Sequence, residues 1–176
     1  NSSYFQREIY LAGNDLTVRL WDTRTWQIAA SWPAHERLIT TVAFRPDGEM
    51  LASGGSDRAI HLWQVSDGQR LRSLWGHSQP VERVVFHPTL PLLASGGLDN
   101  TVRLWDVATG QERALLTAHT NWVSDLAFSP DGRLLASSAA DQTVRFWSLE
   151  GDQSLLPAGE FSVGEVEQRV GVAGRI

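Results

Sequence analysis

The sequence contains no cysteine and no lysine, and no run of about 18 apolar residues. Without cysteine the chain has no disulfides, no zinc–thiolate sites and no thiol catalysis. Its 15 arginines are outnumbered by 20 acidic residues, giving a formal charge of −5. This balance argues against a nucleic-acid partner, because phosphate-binding surfaces usually need a basic excess. With neither an apolar run nor a secretory-type N-terminal pattern, we expect no membrane partner and a cytoplasmic location.

Tryptophan is abundant in the chain, with eight residues, and its spacing is regular. Internal repeats are best sought first, because a missed repeat misassigns the whole fold. Several residue types recur every 42 positions without insertion or deletion. The tryptophans in this register are Trp21, Trp63, Trp105 and Trp147; the aspartates are Asp15, Asp57, Asp99 and Asp141; the histidines are His35, His77 and His119. Phenylalanine and proline follow the same step, so the chain is a tandem array of four repeats.

Each repeat contains the signals of four short strands, which we call a, b, c and d. In the second repeat, alternating or apolar segments at 40–44, 50–54, 59–64 and 70–75 are separated by Gly- and Asp-containing turns. Loops of about four residues join antiparallel neighbours, because a parallel crossover needs a dozen residues or more. Each repeat is therefore predicted to be a four-stranded antiparallel meander, and the fold class is all-β.

One segment carries a family resemblance. The residues LASGGLDNTVRLWD at 93–106, with Gly76-His77 upstream, resemble the WD-repeat β-propeller, and the resemblance covers about residues 7 to 156. It implies a propeller of four-stranded antiparallel blades, about four of them in this chain. The first repeat has Leu11 where the others have serine, and it has no preceding histidine, so its internal network is expected to be incomplete.

The domain organisation follows from the register. Residues 1–156 are predicted to form four blades, the first lacking its inner strand, and residues 157–176 a C-terminal tail. The tail could supply that inner strand, begin a degenerate fifth blade, or bind elsewhere. Because the family closes with about seven blades, further blades are expected from a second copy, another chain, or a part of the same protein outside this sequence.

A set of residues in the last repeat has the composition of a nucleophilic triad: His119, Ser137 and Asp141. The resemblance implies instead that this set, with Trp147, forms a hydrogen-bonded chain from the indole through serine and histidine to aspartate. Because the set occurs three times, it is predicted to be structural, and no catalytic residue is assigned. The predicted structural network comprises His35, Ser53, Asp57, Trp63, His77, Ser95, Asp99, Trp105, His119, Ser137, Asp141 and Trp147.

No metal ion and no cofactor are expected. The repeated histidines fall in different blades, and His61 and His87 are expected to have no carboxylate or thiolate group nearby. The Gly-Gly pairs lie between strands with no following helix or lysine, which favours hairpins over phosphate loops. A further register of arginines on strand c is interpreted as the solvated outer faces of successive blades. Its members are Arg19, Arg103 and Arg145.

The family resemblance places a binding face at the d–a loop, the start of strand a and the b–c turn. The partner-binding candidates there are Leu38, Thr40, Pro80, Glu82, Leu98, Trp122 and Ser124. A large apolar side chain on a solvent-facing loop often marks an interface. For Trp122 two interpretations are open: an interface anchor, or packing against the neighbouring blade.

The sequence thus predicts a non-catalytic protein–protein interaction scaffold or sensor module of a larger assembly, with a protein or peptide partner. The regular repeats and the all-arginine basic set favour a bacterial-type repeat region. Two alternatives remain at this point. One is an enzyme sited in the propeller channel, which would need a cluster of unpaired carboxylates with raised pKa values. The other is a polyanion-binding or RNA-binding propeller.

Overall fold

The computed structural model describes residues 7–11, 15–150 and 154–162, and every regular element in these ranges is a β-strand, apart from a single helical turn residue at Asp15. The strands form separate antiparallel sheets, each built from neighbours in the sequence. This arrangement confirms the prediction of an all-β fold made of successive meanders. No helix in the described part of the chain has the length and hydrophobicity needed to cross a membrane.

The first sheet contains three described strands in the order β1-β2-β3. These are β1 (Arg7–Leu11), β2 (Thr17–Asp22) and β3 (Gln27–Pro33). By register they correspond to strands b, c and d of the repeat, so no strand a is present among the described residues of this blade.

The second and third sheets are complete four-stranded meanders. The second consists of β4 (Ile39–Phe44), β5 (Met50–Gly55), β6 (Ala59–Gln64) and β7 (Arg70–Trp75). The third consists of β8 (Val81–Phe86), β9 (Leu92–Gly97), β10 (Val102–Asp106) and β11 (Glu112–Leu116). The strands of the second repeat agree with the predicted segments to within one residue.

The fourth sheet corrects the predicted boundary at residue 156. It consists of β12 (Val123–Phe128), β13 (Leu134–Ala139), β14 (Thr143–Glu150) and β15 (Ser154–Ser162). Strand β15 pairs antiparallel with β14, from Glu150–Ser154 to Thr143–Ser162, and serves as strand d. Residues 157–162 therefore belong to the fourth blade rather than to a separate tail. Residues 163–176 lie outside the described residues.

The b–c turns share a backbone feature that keeps the repeats in step. The residue after the turn aspartate has a positive φ in all four repeats, between 61° and 71°. The four residues are Leu16, Arg58, Asn100 and Gln142. Such a left-handed residue reverses the chain tightly enough to bring strands b and c into register.

Hydrophobic side chains from consecutive blades form the core. Three clusters fill the spaces between the first and second, second and third, and third and fourth sheets. The repeat tryptophans Trp63, Trp105 and Trp147 each lie in the cluster facing the preceding blade. Each blade therefore depends on its neighbours for burial, as expected of a repeat architecture.

Close backbone approach at the inner strands explains two of the glycines. A Cβ on Gly54 would lie 2.8 Å from Val81 Cγ1, and a Cβ on Gly96 would lie 2.5 Å from Val123 Cγ1. In both cases the valine begins strand a of the following blade. Glycine therefore allows the next inner strand to pack against the end of strand b.

Candidate functional site

The third blade shows the hydrogen-bonded chain in full. Trp105 Nε1 donates to Ser95 Oγ at 2.8 Å, and Ser95 Oγ lies 2.7 Å from His77 Nε2. His77 Nδ1 lies 3.0 Å from both carboxylate oxygens of Asp99. The chain joins strand c, strand b, the d–a loop and the b–c turn within one blade.

The chemistry of the two end residues fixes the direction of this chain. An indole N–H can only donate, and an ionised carboxylate can only accept. His77 therefore carries its proton on Nδ1 and donates it to Asp99, while its Nε2 accepts the hydroxyl proton of Ser95. The serine oxygen in turn accepts the indole proton. With this tautomer every polar atom of the chain has a partner, as buried groups require.

Equivalent chains occur in the second and fourth blades. Trp63, Ser53, His35 and Asp57 are joined at 2.9, 2.7 and 3.0 Å. The corresponding distances for Trp147, Ser137, His119 and Asp141 are 2.9, 2.8 and 2.9 Å. The structure thus brings together all the residues of the predicted network. In each of the three blades the serine hydroxyl donates its proton to the histidine, so these serines act as structural hydrogen-bonding groups.

The turn aspartates are the most heavily hydrogen-bonded groups of the network. Asp99 also accepts the backbone N–H groups of Ser78 at 2.9 Å and Thr101 at 3.2 Å, and the Thr101 hydroxyl at 2.7 Å. Burial by itself would raise the pKa of Asp99, but the hydrogen bonds from His77 and Thr101 outweigh it and hold the pKa well below its usual range. Asp141 has the same donors in the fourth blade and a pKa lowered in the same way.

The second blade departs from this pattern, and here the prediction about His61 was wrong. His61 was expected to have no carboxylate nearby, but its ring centroid lies 4.5 Å from that of His35, and ligating atoms of His35, Asp57 and His61 lie within 4.8 Å of one another. The pairing of β5 with β6 places His61 opposite Ser53. Because Ser53 is bonded to His35, His61 comes close to His35 and Asp57 in space. The register offered a signal: His61 occupies the strand-c position that is arginine in the other repeats.

The arginines of that register are not simply solvated, which corrects the interpretation drawn from the sequence. The Arg103 side chain is 12% exposed, pairs with Glu112, and lies 4.0 Å from Asp99. Arg19 forms an ion pair with Asp15 in the first blade. These arginines lie beside the turn aspartates because strand c follows the b–c turn directly, so the i and i+4 residues meet.

The candidate partner face lies at one end of the sheets, where strand a begins and the b–c turn reverses the chain. In the second, third and fourth blades a backbone N–H of the turn donates to a carbonyl near the start of strand a. The donors are Ser56, Leu98 and Ala140, the acceptors are Leu38, Pro80 and Trp122, and the distances are 2.8, 2.9 and 2.9 Å. The structure therefore brings these residues together at the same end of each blade.

Exposure divides the candidates into two groups. Leu38, Leu98 and Trp122 are 43%, 39% and 41% exposed, and Ser124 is also exposed. A second group of the candidates is half-buried; it consists of Thr40, Pro80 and Glu82.

Of the half-buried positions, Thr40 contacts the adjoining blade. The Thr40 hydroxyl lies 3.0 Å from the carbonyl oxygen of Gly54. It also contacts the carbonyl oxygen of Val81 in the third blade. Burial raises the pKa of Glu82. Among the residues that the structure describes, Glu82 is the one carboxyl group with a raised pKa, and Asp125 on the next inner strand is paired with Arg83 at 2.7 Å.

Comparison with known families agrees with this geometry. The model of the WD domain, G-beta repeat (WD40), matches residues 26–64, 68–106 and 110–148. A search of curated proteins gave no match. Each matched segment runs from the c–d turn through strand c of the following blade and so contains one complete histidine–serine–tryptophan–aspartate chain. Since the matched segments cover more than half of the sequence and the blades have the expected four-stranded topology, the chain belongs to the WD40 repeat family.

Proposed function

We propose that this chain is a non-catalytic interaction module that binds a protein or peptide segment on the face defined by Leu38, Leu98 and Trp122. The observation that carries the proposal is the exposure of these three large apolar side chains at the same end of consecutive blades. WD40 repeats generally serve as interaction scaffolds. Rigid sheets hold loops in fixed positions, which is how such folds present binding residues.

The hydrogen-bonding geometry supports a binding role over an enzymatic one. The serines and histidines that resemble catalytic groups are engaged in three equivalent chains, each closed by an indole and a carboxylate. The raised pKa of Glu82 concerns a single carboxyl group, whereas an acid–base pair needs two groups whose environments separate their pKa values.

A peptide library displayed on phage tests the proposal, because selection from random sequences does not require the partner to be identified. Peptides selected on the intact 176-residue chain are then measured against Trp122→Ala. We expect a loss of about 2 kcal/mol or more in binding free energy, because a central aromatic anchor commonly contributes that much.

Trp26→Ala is the matched control. Trp26 is 65% exposed but lies in a c–d turn, at the opposite end of the sheet from the b–c turns. This variant should bind the selected peptides like the parent chain. Equal affinity of the parent and Trp122→Ala, with both folded, would place recognition elsewhere on the molecule. Unfolding of Trp122→Ala with full binding by the remaining folded fraction would make Trp122 a packing residue instead.

A further inference from the structure

The second blade contains a histidine pair that no other described blade has. His61 is 5% exposed, and its ring is packed against His35 on one side and contacts Trp63 edge-on at 5.7 Å. His61 Nδ1 is buried without a hydrogen-bond partner. A buried, unpaired ring nitrogen costs free energy, so this atom calls for an explanation.

The carboxylate beside it has fewer donors than its equivalents. Asp57 accepts from His35 Nδ1 and from the backbone N–H groups of Glu36 and Ala59. The third and fourth blades add a threonine hydroxyl at the position of Ala59, and in the third blade Arg103 lies 4.0 Å from the carboxylate. Asp57 has neither the threonine hydroxyl nor the arginine as a partner. Its carboxylate can therefore accept further bonds, and its negative charge lies next to two imidazole rings.

We propose that His35, Asp57 and His61 form a binding site for a divalent transition-metal ion of the zinc class. Two imidazoles and one carboxylate are a ligand set that zinc accepts, with a solvent molecule as fourth ligand. Magnesium and calcium prefer oxygen ligands alone, so they are excluded by chemistry. The positive ion takes the place of the arginine that lies beside the turn aspartate in the first and third blades.

Burial, together with the nearby His35 and Arg70, lowers the pKa of His61 to about 4. Burial would raise the pKa of Asp57, but the hydrogen bond from His35 outweighs it and the pKa is lowered.

Binding requires a defined local change. His35 Nδ1 and the Asp57 oxygens are 3.0 Å apart, close to the edge of about 3.3 Å of a tetrahedron with zinc–ligand bonds near 2.0 Å. His61 must rotate towards them, since the three ligating atoms are spread over up to 4.8 Å. The His35 proton moves from Nδ1 to Nε2 and is donated to Ser53 Oγ. The Ser53 hydroxyl thereby loses its acceptor, a cost that the metal–ligand bonds must exceed.

Calorimetric titration of the full chain with zinc chloride, after treatment with a chelator, tests the site. We expect one zinc ion per chain, together with shifts of the His35 and His61 imidazole resonances in NMR spectra. His61→Arg restores the residue of the neighbouring blades and should fold. It should weaken zinc binding by at least about tenfold. His87→Gln is the control, because it removes another buried histidine, one bonded to Gly132 O and remote in register from Asp57.

The outcomes separate clearly. Loss of binding in His61→Arg but not in His87→Gln supports the site. Absence of a one-to-one binding event in the parent chain overturns it, as does unchanged affinity in His61→Arg. If His61→Arg does not fold, His61→Gln takes its place, with the same two outcomes. None of these results depends on the partner face, so the two proposals stand or fall separately.

Discussion

Single residues at the ends of the hydrogen-bonded chains determine how much each chain contributes. Trp105 is almost fully buried and donates to Ser95. Trp105→Phe keeps an aromatic ring but removes the donor, leaving the serine oxygen short of one partner. We expect a loss of roughly 1–3 kcal/mol in the free energy of unfolding, measured in denaturant melts. Trp26→Phe, on the surface, should change little, and an unchanged melt for Trp105→Phe would contradict a stabilising role of the chain.

The half-buried Glu82 gives a pH-dependent prediction. Because burial raises its pKa, the ionised carboxylate disfavours the folded state, and this penalty appears as the pH rises through the folded pKa. Glu82→Gln should therefore be more stable than the parent at pH 7. The difference should vanish below about pH 4, where glutamate is protonated in the unfolded chain as well. Thermal melts across this range measure it, and a constant difference would show that the charge is not the cause.

The same side chain bears on partner choice. If the bound segment is basic, Glu82→Gln should weaken binding, and the loss should shrink as salt rises because half-exposed charge pairs are screened. A salt-independent loss would point to a hydrogen bond in place of charge attraction.

The sequence predicted the residues of the hydrogen-bonded chains but not the contacts around them. The 42-residue register marked every member of the three chains, since identical spacing means equivalent places in the fold. It did not reveal that Thr40 reaches the neighbouring blade or that His61 lies against His35. Those contacts depend on side-chain directions and blade spacing, which no single repeat encodes.

At the scale of strands, the penultimate residue of strand b, a glycine in the second and third blades, controls how closely the next blade approaches. Gly96→Ala would place a Cβ 2.5 Å from Val123, so β12 must move. We expect destabilisation of roughly 1–3 kcal/mol, typical of overpacking. In the fourth blade Ser138 stands at the equivalent position and is bonded to Ser124. Ser138→Ala is thus the matched control and should cost less. Equal effects would mean that the inter-blade contact does not set the requirement.

The sequence did not predict the full length of strand β15 as part of the fourth blade. The strands of the second repeat were predictable because Gly- and Asp-containing turns separate its alternating or apolar segments. Residues 157–162 were assigned to the tail because Glu160 and Phe161 stand where the register places a Gly-His pair. Pairing with β14 shows that these residues belong to the fourth blade.

At the scale of the whole molecule, the number of blades governs assembly. The described sheets amount to three complete blades and a three-stranded one, whereas propellers of this family close with about seven. We expect the isolated 176-residue chain to associate, with two copies and eight blades as the simplest closed arrangement. Light scattering measures the mass. A stable, monodisperse monomer that binds no dye for exposed apolar surface would show that these blades suffice alone.

The carboxylates of the b–c turns also hold backbone amides that lie at the molecular surface. Glu36, Ser78 and Thr120 are exposed residues, yet their N–H groups donate to Asp57, Asp99 and Asp141 at 3.1, 2.9 and 3.0 Å. Such an amide exchanges with solvent deuterium only when its hydrogen bond to the carboxylate opens. The second, third and fourth blades therefore each carry a reporter of local opening. We expect the amide of Thr120 to exchange faster than those of Glu36 and Ser78, because the second and third blades each pack between two described blades and the fourth packs against one. The three rates would map how cooperativity spreads along the array.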